Sequence, residues 1–238
     1  MESLKNKNIL IVGATGGIGS GVAKLLATSG ANLFLAGRNS EKLTALIQEL
    51  NIPSSKTLAL DISKPAEVAL LKEHFFAQYP SIDILVNAAG LGIIKPSDTL
   101  TEDEFMQTIL TNLYGPFLLV KAFLPSMKET KKGLIINIPG ILGKIPMLGA
   151  AAYSASKYGL NGMMQSIREE VKRTEIRITN LFLGGVDTPF WDTIDLRVQR
   201  DKMVMADEAA KAIWFLCQQP TSAVVSEMVI QPFNHQAI

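Results

Sequence analysis

A chain of 238 residues is long enough for one large domain or two small ones, and 47% hydrophobic against 19% charged residues excludes a chain that stays disordered. Its 23 basic and 22 acidic side chains nearly cancel to +1, which leaves no strong field to hold nucleic acid or an anionic membrane surface. The lone Cys217 excludes an intramolecular disulfide, no apolar run approaches a bilayer span or a signal-peptide core, and the expected location is the cytoplasm.

Along the chain, short apolar or β-branched runs alternate with longer amphipathic stretches. The pattern predicts a strand at 8–12 and a helix at 17–29, a strand at 32–36 and a helix at 41–50, then a strand at 57–60 and a helix at 65–78. A strand at 82–86 follows, and these strands are apolar enough on both faces to be read as buried and parallel. Thr101 with Glu104 three residues on forms a cap-like pair, opening a long helix over 101–127 that is expected to kink near Pro116. Strands at 134–138 and 176–183 flank a helix at 151–172, and a helix at 207–218 precedes a last short strand at 224–230. No repeat, low-complexity tract or linker interrupts the series. Such alternation predicts one α/β domain over 1–238, a doubly wound parallel sheet with helices on both faces. Its ligands are expected beyond the carboxyl ends of the strands.

After the first strand come Gly13, Ala14, Thr15, Gly16, Gly17, Ile18 and Gly19. Glycines there permit a tight turn and let backbone amides approach a pyrophosphate at a helix N-terminus, although a loop that only needs positive φ carries glycine too. After the second strand stands Arg38, where an NAD-selective site usually offers a carboxylate to the ribose. Arginine pairs with a 2′-phosphate, so its charge favours NADP(H) over NAD(H); a solvated surface arginine is the plain alternative. Asp61 ends the third strand and Asn87, Ala88, Ala89 and Gly90 end the fourth, where small residues admit a flat adenine or ribose. Asp61 also suits a helix cap, though Ser63 before Pro65 is the better candidate. Tyr153 and Lys157 are four residues apart and share one helix face. A nearby ammonium is expected to lower the phenol's pKa toward neutral, where it exchanges a proton with a carbonyl or alcohol. The pair alone occurs by chance in many helices and needs support from the other motifs.

Together these motifs, from Asn8 to about Pro232, resemble the short-chain dehydrogenase/reductase family. The resemblance implies a Rossmann-type fold and cofactor contacts from Gly13, Thr15, Gly17, Ile18, Gly19, Arg38, Asp61, Ile62, Asn87, Ala88, Gly90, Tyr153, Lys157, Val186 and Thr188. It implies catalytic roles for Tyr153, Lys157 and Asn112, the last anchoring a water that links the lysine to solvent. Val12 stands where the family's cofactor turn usually has threonine. A larger departure lies thirteen residues before the tyrosine: the family's catalytic serine is Gly140, in the segment Asn137, Ile138, Pro139, Gly140. Losing one preorganised donor typically costs on the order of 2.7–4 kcal/mol of transition-state stabilisation.

After the sixth strand, Gly184, Val186 and Thr188 match the family's nicotinamide-holding element, with Leu183 in place of its proline, and 189–205 is expected to form a substrate lid. Leu91, Ile93, Ile141, Leu142, Met147, Leu148, Phe190 and Trp191 suit a small uncharged or lipophilic carbonyl or alcohol, although core or subunit contacts account for them equally. His74 and His235 lie outside the motifs, no Cys/His/carboxylate cluster has metal spacing, and no catalytic metal is expected. The resemblance also implies a homodimer or homotetramer. The expected function is an NADP(H)-dependent oxidoreductase that transfers hydride between nicotinamide and a ketone, aldehyde or secondary alcohol. The alternative, motivated by Gly140, is a cofactor-binding protein with lost or weak catalysis that acts as a regulator or assembly partner.

Overall fold

In a computed structural model the described residues are 1–234, so His235 lies outside them. Nine strands and seven α-helices follow in the order β1 (Asn8–Val12), α1 (Gly17–Ala27), β2 (Asn32–Gly37), α2 (Ser40–Leu50), β3 (Thr57–Ala59), α3 (Pro65–Gln78) and β4 (Ile84–Asn87). Then come α4 (Glu102–Ile109), α5 (Gly115–Thr130), β5 (Lys132–Asn137), α6 (Ala151–Val171), β6 (Glu175–Leu183), β7 (Val186–Asp187), β8 (Val204–Met205), α7 (Ala206–Cys217) and β9 (Glu227–Ile230).

Seven strands form one parallel sheet in the order β3-β2-β1-β4-β5-β6-β9, and β7 pairs with β8 in a separate small ladder. This is the expected doubly wound architecture. Its cause is visible in β1, all of whose residues are buried. Ile9 and Ile11 join the core under α1, α2 and α7, whereas Leu10 and Val12 join the core under α3, α5 and α6. Side chains alternate across a strand, so a run with two apolar faces is stable only between two helical layers. Each fully buried Ile, Leu or Phe contributes about 1.5–3 kcal/mol. Phe75 anchors the second core with an edge-on contact to Phe123 at 5.5 Å between centroids.

Three expectations need correction. β3 is not buried: it is the sheet's edge, pairing only with β2 among the described residues, with Thr57 and Leu58 half-buried and Ala59 exposed. The helix expected over 101–127 is two helices joined by a π-helical turn, Leu110–Tyr114, and Pro116 sits in the first turn of α5, where its missing N–H costs nothing. The expected cap at its start is present, since Thr101 and Glu104 form a complete capping box. At α3, Lys64 and not Ser63 is the N-cap, because the Ser63 N–H and hydroxyl both donate to Asp61 Oδ1, at 2.9 and 2.7 Å. No helix among the described residues is long and apolar enough to cross a membrane.

Candidate active site

β1 and β4 are neighbours although α1, β2, α2, β3 and α3 lie between them in sequence, so the crossover direction reverses there and a crevice opens at their carboxyl ends. A cavity of about 1210 Å³ occupies that crevice. That exceeds the roughly 300–1000 Å³ of a typical ligand pocket and has room for a dinucleotide beside a substrate.

The glycine turn is shaped by contact rather than by flexibility. Gly13 has φ +82°, and a Cβ on it would lie 2.5 Å from the Ala89 nitrogen; one on Gly19 would lie 2.1 Å from the Gly13 carbonyl oxygen. Side chains are thus excluded where β1, α1 and the end of β4 converge. At the start of α1, Gly16 is the N-cap without a side-chain cap, so the first-turn N–H groups face the crevice as a ready anion site. A Cβ on Gly17 would strike Thr188 Cγ2 at 2.5 Å, which places the Val186–Thr188 segment directly over that turn.

At the other end, Arg38 lines the cavity together with Asn39 and Lys42. Asn39 caps α2 by accepting from the Lys42 N–H at 2.8 Å, fixing where Lys42 leaves the backbone. Lys42 was not singled out by the sequence, although its place one turn beyond Arg38 was the available signal. Asp61 turns away from the cavity toward Ser63. Burial works to raise its carboxyl, but the Ser63 N–H and hydroxyl, with the Arg38 and Lys64 charges, hold it below the usual value.

Tyr153 and Lys157 both line the cavity. Lys157 is only 4% exposed, its Nζ donates to the Ile138 carbonyl at 2.9 Å, and it lies 5.4 Å from the Tyr153 ring centroid. The expectation that this ammonium lowers the phenol is corrected by the structure. Burial dominates both groups, pushing Tyr153 up to about 12 and Lys157 down to about 8. Asn112 lies in the π-helical turn, accepts from the Leu91 N–H at 2.8 Å and donates to the Leu91 carbonyl at 2.8 Å and to Ser156 Oγ at 3.1 Å. It ties the loop after β4 to α6. A Cβ on Gly90 would sit 3.7 Å from both Asn112 Oδ1 and Lys157 Nζ, so these three residues meet.

Gly13, Thr15, Gly17, Ile18, Arg38, Ile62, Ala88, Gly90, Tyr153, Lys157, Val186 and Thr188 all border the one cavity. Gly19, Asp61, Asn87 and Asn112 stand behind its wall; Asn87 Nδ2 donates to Asn137 Oδ1 at 3.2 Å, joining the ends of β4 and β5. Gly140 lines the cavity with φ +68° and ψ 172°, a conformation essentially confined to glycine.

The segment after β7 folds over Thr188. The Phe190 ring lies 5.9 Å from that of Tyr153 and meets Trp191 edge-on at 5.3 Å. The Trp191 indole N–H donates to the Val186 carbonyl at 2.9 Å. Arg200 is bound at three points, to Asp187 at 2.5 Å, Asp192 at 2.6 Å and the Thr188 carbonyl at 3.0 Å. Ile141, Leu142, Met147, Phe190 and Trp191 line the cavity as expected, but Leu91, Ile93 and Leu148 do not, and Leu148 is 96% exposed. Ile94, Ile145 and Pro146 take their places, joined by Arg197 and Lys202, which nothing in the sequence marked out. Among the described residues no three potential metal-ligating side chains gather.

The crevice therefore holds a glycine turn at the start of α1, Arg38 and Lys42, and the Tyr153–Lys157 pair beside an apolar cover. The sequence profile described as short chain dehydrogenase matches residues 7–198. An uncharacterized oxidoreductase of Staphylococcus epidermidis is 30% identical over 232 residues, 98% of this chain and 100% of the relative. Another, from Staphylococcus saprophyticus, is 34% identical over 238 residues, again 98% of this chain and 100% of the relative. Among solved structures, an alcohol dehydrogenase from the archaeon Thermococcus sibiricus, complexed with 5-hydroxy-NADP, has a TM-score of 0.88 at 27% identity, covering 98% of this chain and 100% of the other. A metagenomic short-chain oxidoreductase in complex with NADP has a TM-score of 0.84 at 32% identity, with the same coverage. The chain belongs to the short-chain dehydrogenase/reductase family of oxidoreductases.

Proposed function

We propose that the chain is an NADP(H)-dependent carbonyl reductase, reversible on the corresponding alcohol, with Tyr153 as its acid. The observation that carries this is the half-buried Tyr153 beside the buried Lys157 in a cavity that also presents Arg38 and Lys42. Gly13–Gly19 would receive the diphosphate, Arg38 and Lys42 the 2′-phosphate, and the Val186–Thr188 segment the carboxamide. Reduced nicotinamide supplies a hydride to a carbonyl carbon. Tyr153, pushed up to about 12, keeps its proton at neutral pH and donates it to the carbonyl oxygen. Lys157, beside the phenol, would hold the nicotinamide ribose hydroxyls. Asn112 holds Leu91 and Ser156 in register behind it. The lid residues Phe190 and Trp191 close over the apolar side of the reacting carbon and exclude water.

The support for NADP(H) over NAD(H) is the absence of any carboxylate among the described cavity-lining residues near Arg38 and Lys42. Exposed Phe105, Met106, Leu110, Phe117 and Tyr158, on α4–α6 and the turn between them, support a homodimer or homotetramer, which light scattering after size exclusion measures directly.

The test is NADPH oxidation against a panel of ketones, aldehydes and diketones, with NADH in parallel. Turnover that falls at least a hundredfold in Tyr153→Phe supports the reading, with selectivity for NADPH lost in an Arg38→Ala, Lys42→Ala variant. Gly140 favours a second reading, a cofactor-binding protein without efficient turnover. Tight NADPH binding with no oxidation of any carbonyl would give that reading the lead.

A further inference from the structure

Arginine and lysine side chains at the cavity are distributed unevenly. Among the described lining residues there is no aspartate or glutamate, yet Arg38, Lys42, Lys157, Arg197 and Lys202 all border it, in a chain whose net charge is only +1. Lys157 is accounted for by Tyr153 and Ile138, and Arg38 with Lys42 by the adenosine end. The remaining two stand on the lid, later in sequence than Phe190, whose ring borders Tyr153, and Trp191, whose ring meets that of Phe190.

Between them in sequence, Arg200 shows what a structural arginine looks like on this segment: its guanidinium is consumed by Asp187, Asp192 and the Thr188 carbonyl. The side chains of Arg197 and Lys202 have no ion pair or hydrogen bond within the described chain. The lid's other acidic residues, Asp195 and Asp201, are exposed, do not line the cavity and pair with neither cation. The latch thus removes the nearest carboxylates from competition and leaves two uncompensated positive groups at the cavity rim. A coenzyme diphosphate already has its amide cradle at the start of α1.

We propose that Arg197 and Lys202 receive the anionic end of the substrate, so that the carbonyl compound reduced here carries a carboxylate or phosphate at the far end of an apolar body. This rests on the reductase reading and replaces the expected uncharged substrate. The apolar wall of Ile141, Leu142, Met147 and Phe190 takes the reacting end, and the lid cations fix which carbonyl is presented to Tyr153.

The experiment compares two series: oxo-carboxylates of four to ten carbons and their methyl esters, each assayed at low and high salt. The variants are native protein and Arg197→Gln, Lys202→Gln, singly and together. The expected result is a kcat/KM for the acids at least tenfold above the esters at low salt, a preference that shrinks with salt and is abolished in the double variant through KM while ester turnover is unchanged. The affinity for NADPH, read from its own fluorescence, is expected to be unaltered. Equal rates on acids and esters, or an acid preference that survives the double substitution, overturns the proposal. So does a double variant whose main defect is weaker NADPH binding, which would assign these cations to the coenzyme.

Binding is measured independently by quenching of Trp191 fluorescence with decanoate against methyl decanoate at saturating NADP⁺, in native and double-variant protein and in a Trp214→Phe background that isolates the signal. Selective quenching by decanoate with no turnover in either series would defeat the reductase reading and leave the anion site standing. Equal or absent quenching by both, in a protein that reduces neutral ketones, would defeat the anion site alone.

Discussion

Gly140→Ala isolates the cost of one backbone conformation. At φ +68° and ψ 172° the residue occupies a region that side chains rarely enter, at a typical cost of about 1–3 kcal/mol. A Cβ there meets only the Leu183 carbonyl oxygen, at the ordinary contact distance of 3.5 Å, so the strain comes from the backbone and not from collision. The expected destabilisation is therefore about 1–3 kcal/mol, or roughly 2–12 °C in Tm for a domain of this size. Gly162→Ala is the control. A Cβ on Gly162 meets nothing within 4 Å inside α6, so alanine there is expected to stabilise by about 0.5–1 kcal/mol. Urea unfolding at constant m measures both. Gly140→Ser is expected to lose as much stability as Gly140→Ala and to gain no turnover, because the segment must first leave its present conformation to aim the new hydroxyl. Gly140→Ala as stable as the native protein would refute the argument, and a serine variant with markedly higher turnover would refute its functional half.

Other outcomes follow from burial. Lys157 sits at about 8 in the folded chain against its usual 10.5, so the unfolded state holds more protons between those values and stability rises with pH from about 8. Above pH 9 Cys217, and above pH 10 Tyr153 and Tyr79, each raised to about 12, work in the opposite direction; the slope between pH 8 and 9, followed by urea midpoint, should flatten in Lys157→Met, and an unchanged slope would show that another group carries it. Cys217 is buried and its thiol is pushed up to about 12, so a thiol reagent should label it only on unfolding; rapid stoichiometric labelling of the native protein contradicts its placement. Gly19→Ala would put a methyl group 2.1 Å from the Gly13 carbonyl, and is expected to abolish NADPH binding measured by fluorescence, with a drop in Tm; unchanged affinity would mean that the cradle is not formed by this contact.

The sheet was legible because its central strands are apolar on both faces and most of its helices on one, a pattern that a two-sided sandwich satisfies. The glycine cradle was legible for a related reason: four glycines in seven positions between a strand and a helix leave few other uses. The division of the helix expected over 101–127 was not, since a π-helical turn adds a residue to the helix without changing its composition. Pro116 announced a disturbance and placed it correctly, yet proline in a first turn and proline at a kink look alike in sequence. Spacing brought Tyr153 and Lys157 together. It did not reveal that burial outweighs the charge between them, because burial depends on Ile138, Phe190 and the loop after β4, all distant in sequence. Lys42, Arg197 and Lys202 escaped notice because a solvated cation and one bordering a cavity carry the same signature until the chain is folded.

The pairing of β1 with β4 also sets an order of events during synthesis. β2 is the first partner β1 can find, but its other edge waits until Ile84–Asn87 has left the ribosome, because Ile9 registers with Ile84 and Val12 with Asn87. A nascent chain ending at α3 therefore presents Ile9–Val12 as an open, apolar strand edge, the kind of edge that recruits other chains. Ala88 and Gly90, which border the cavity, follow the strand that closes this gap. Early truncations of this chain should aggregate, and in nascent chains that extend past β4 the open edge passes to β4 until Lys132–Asn137 pairs with it.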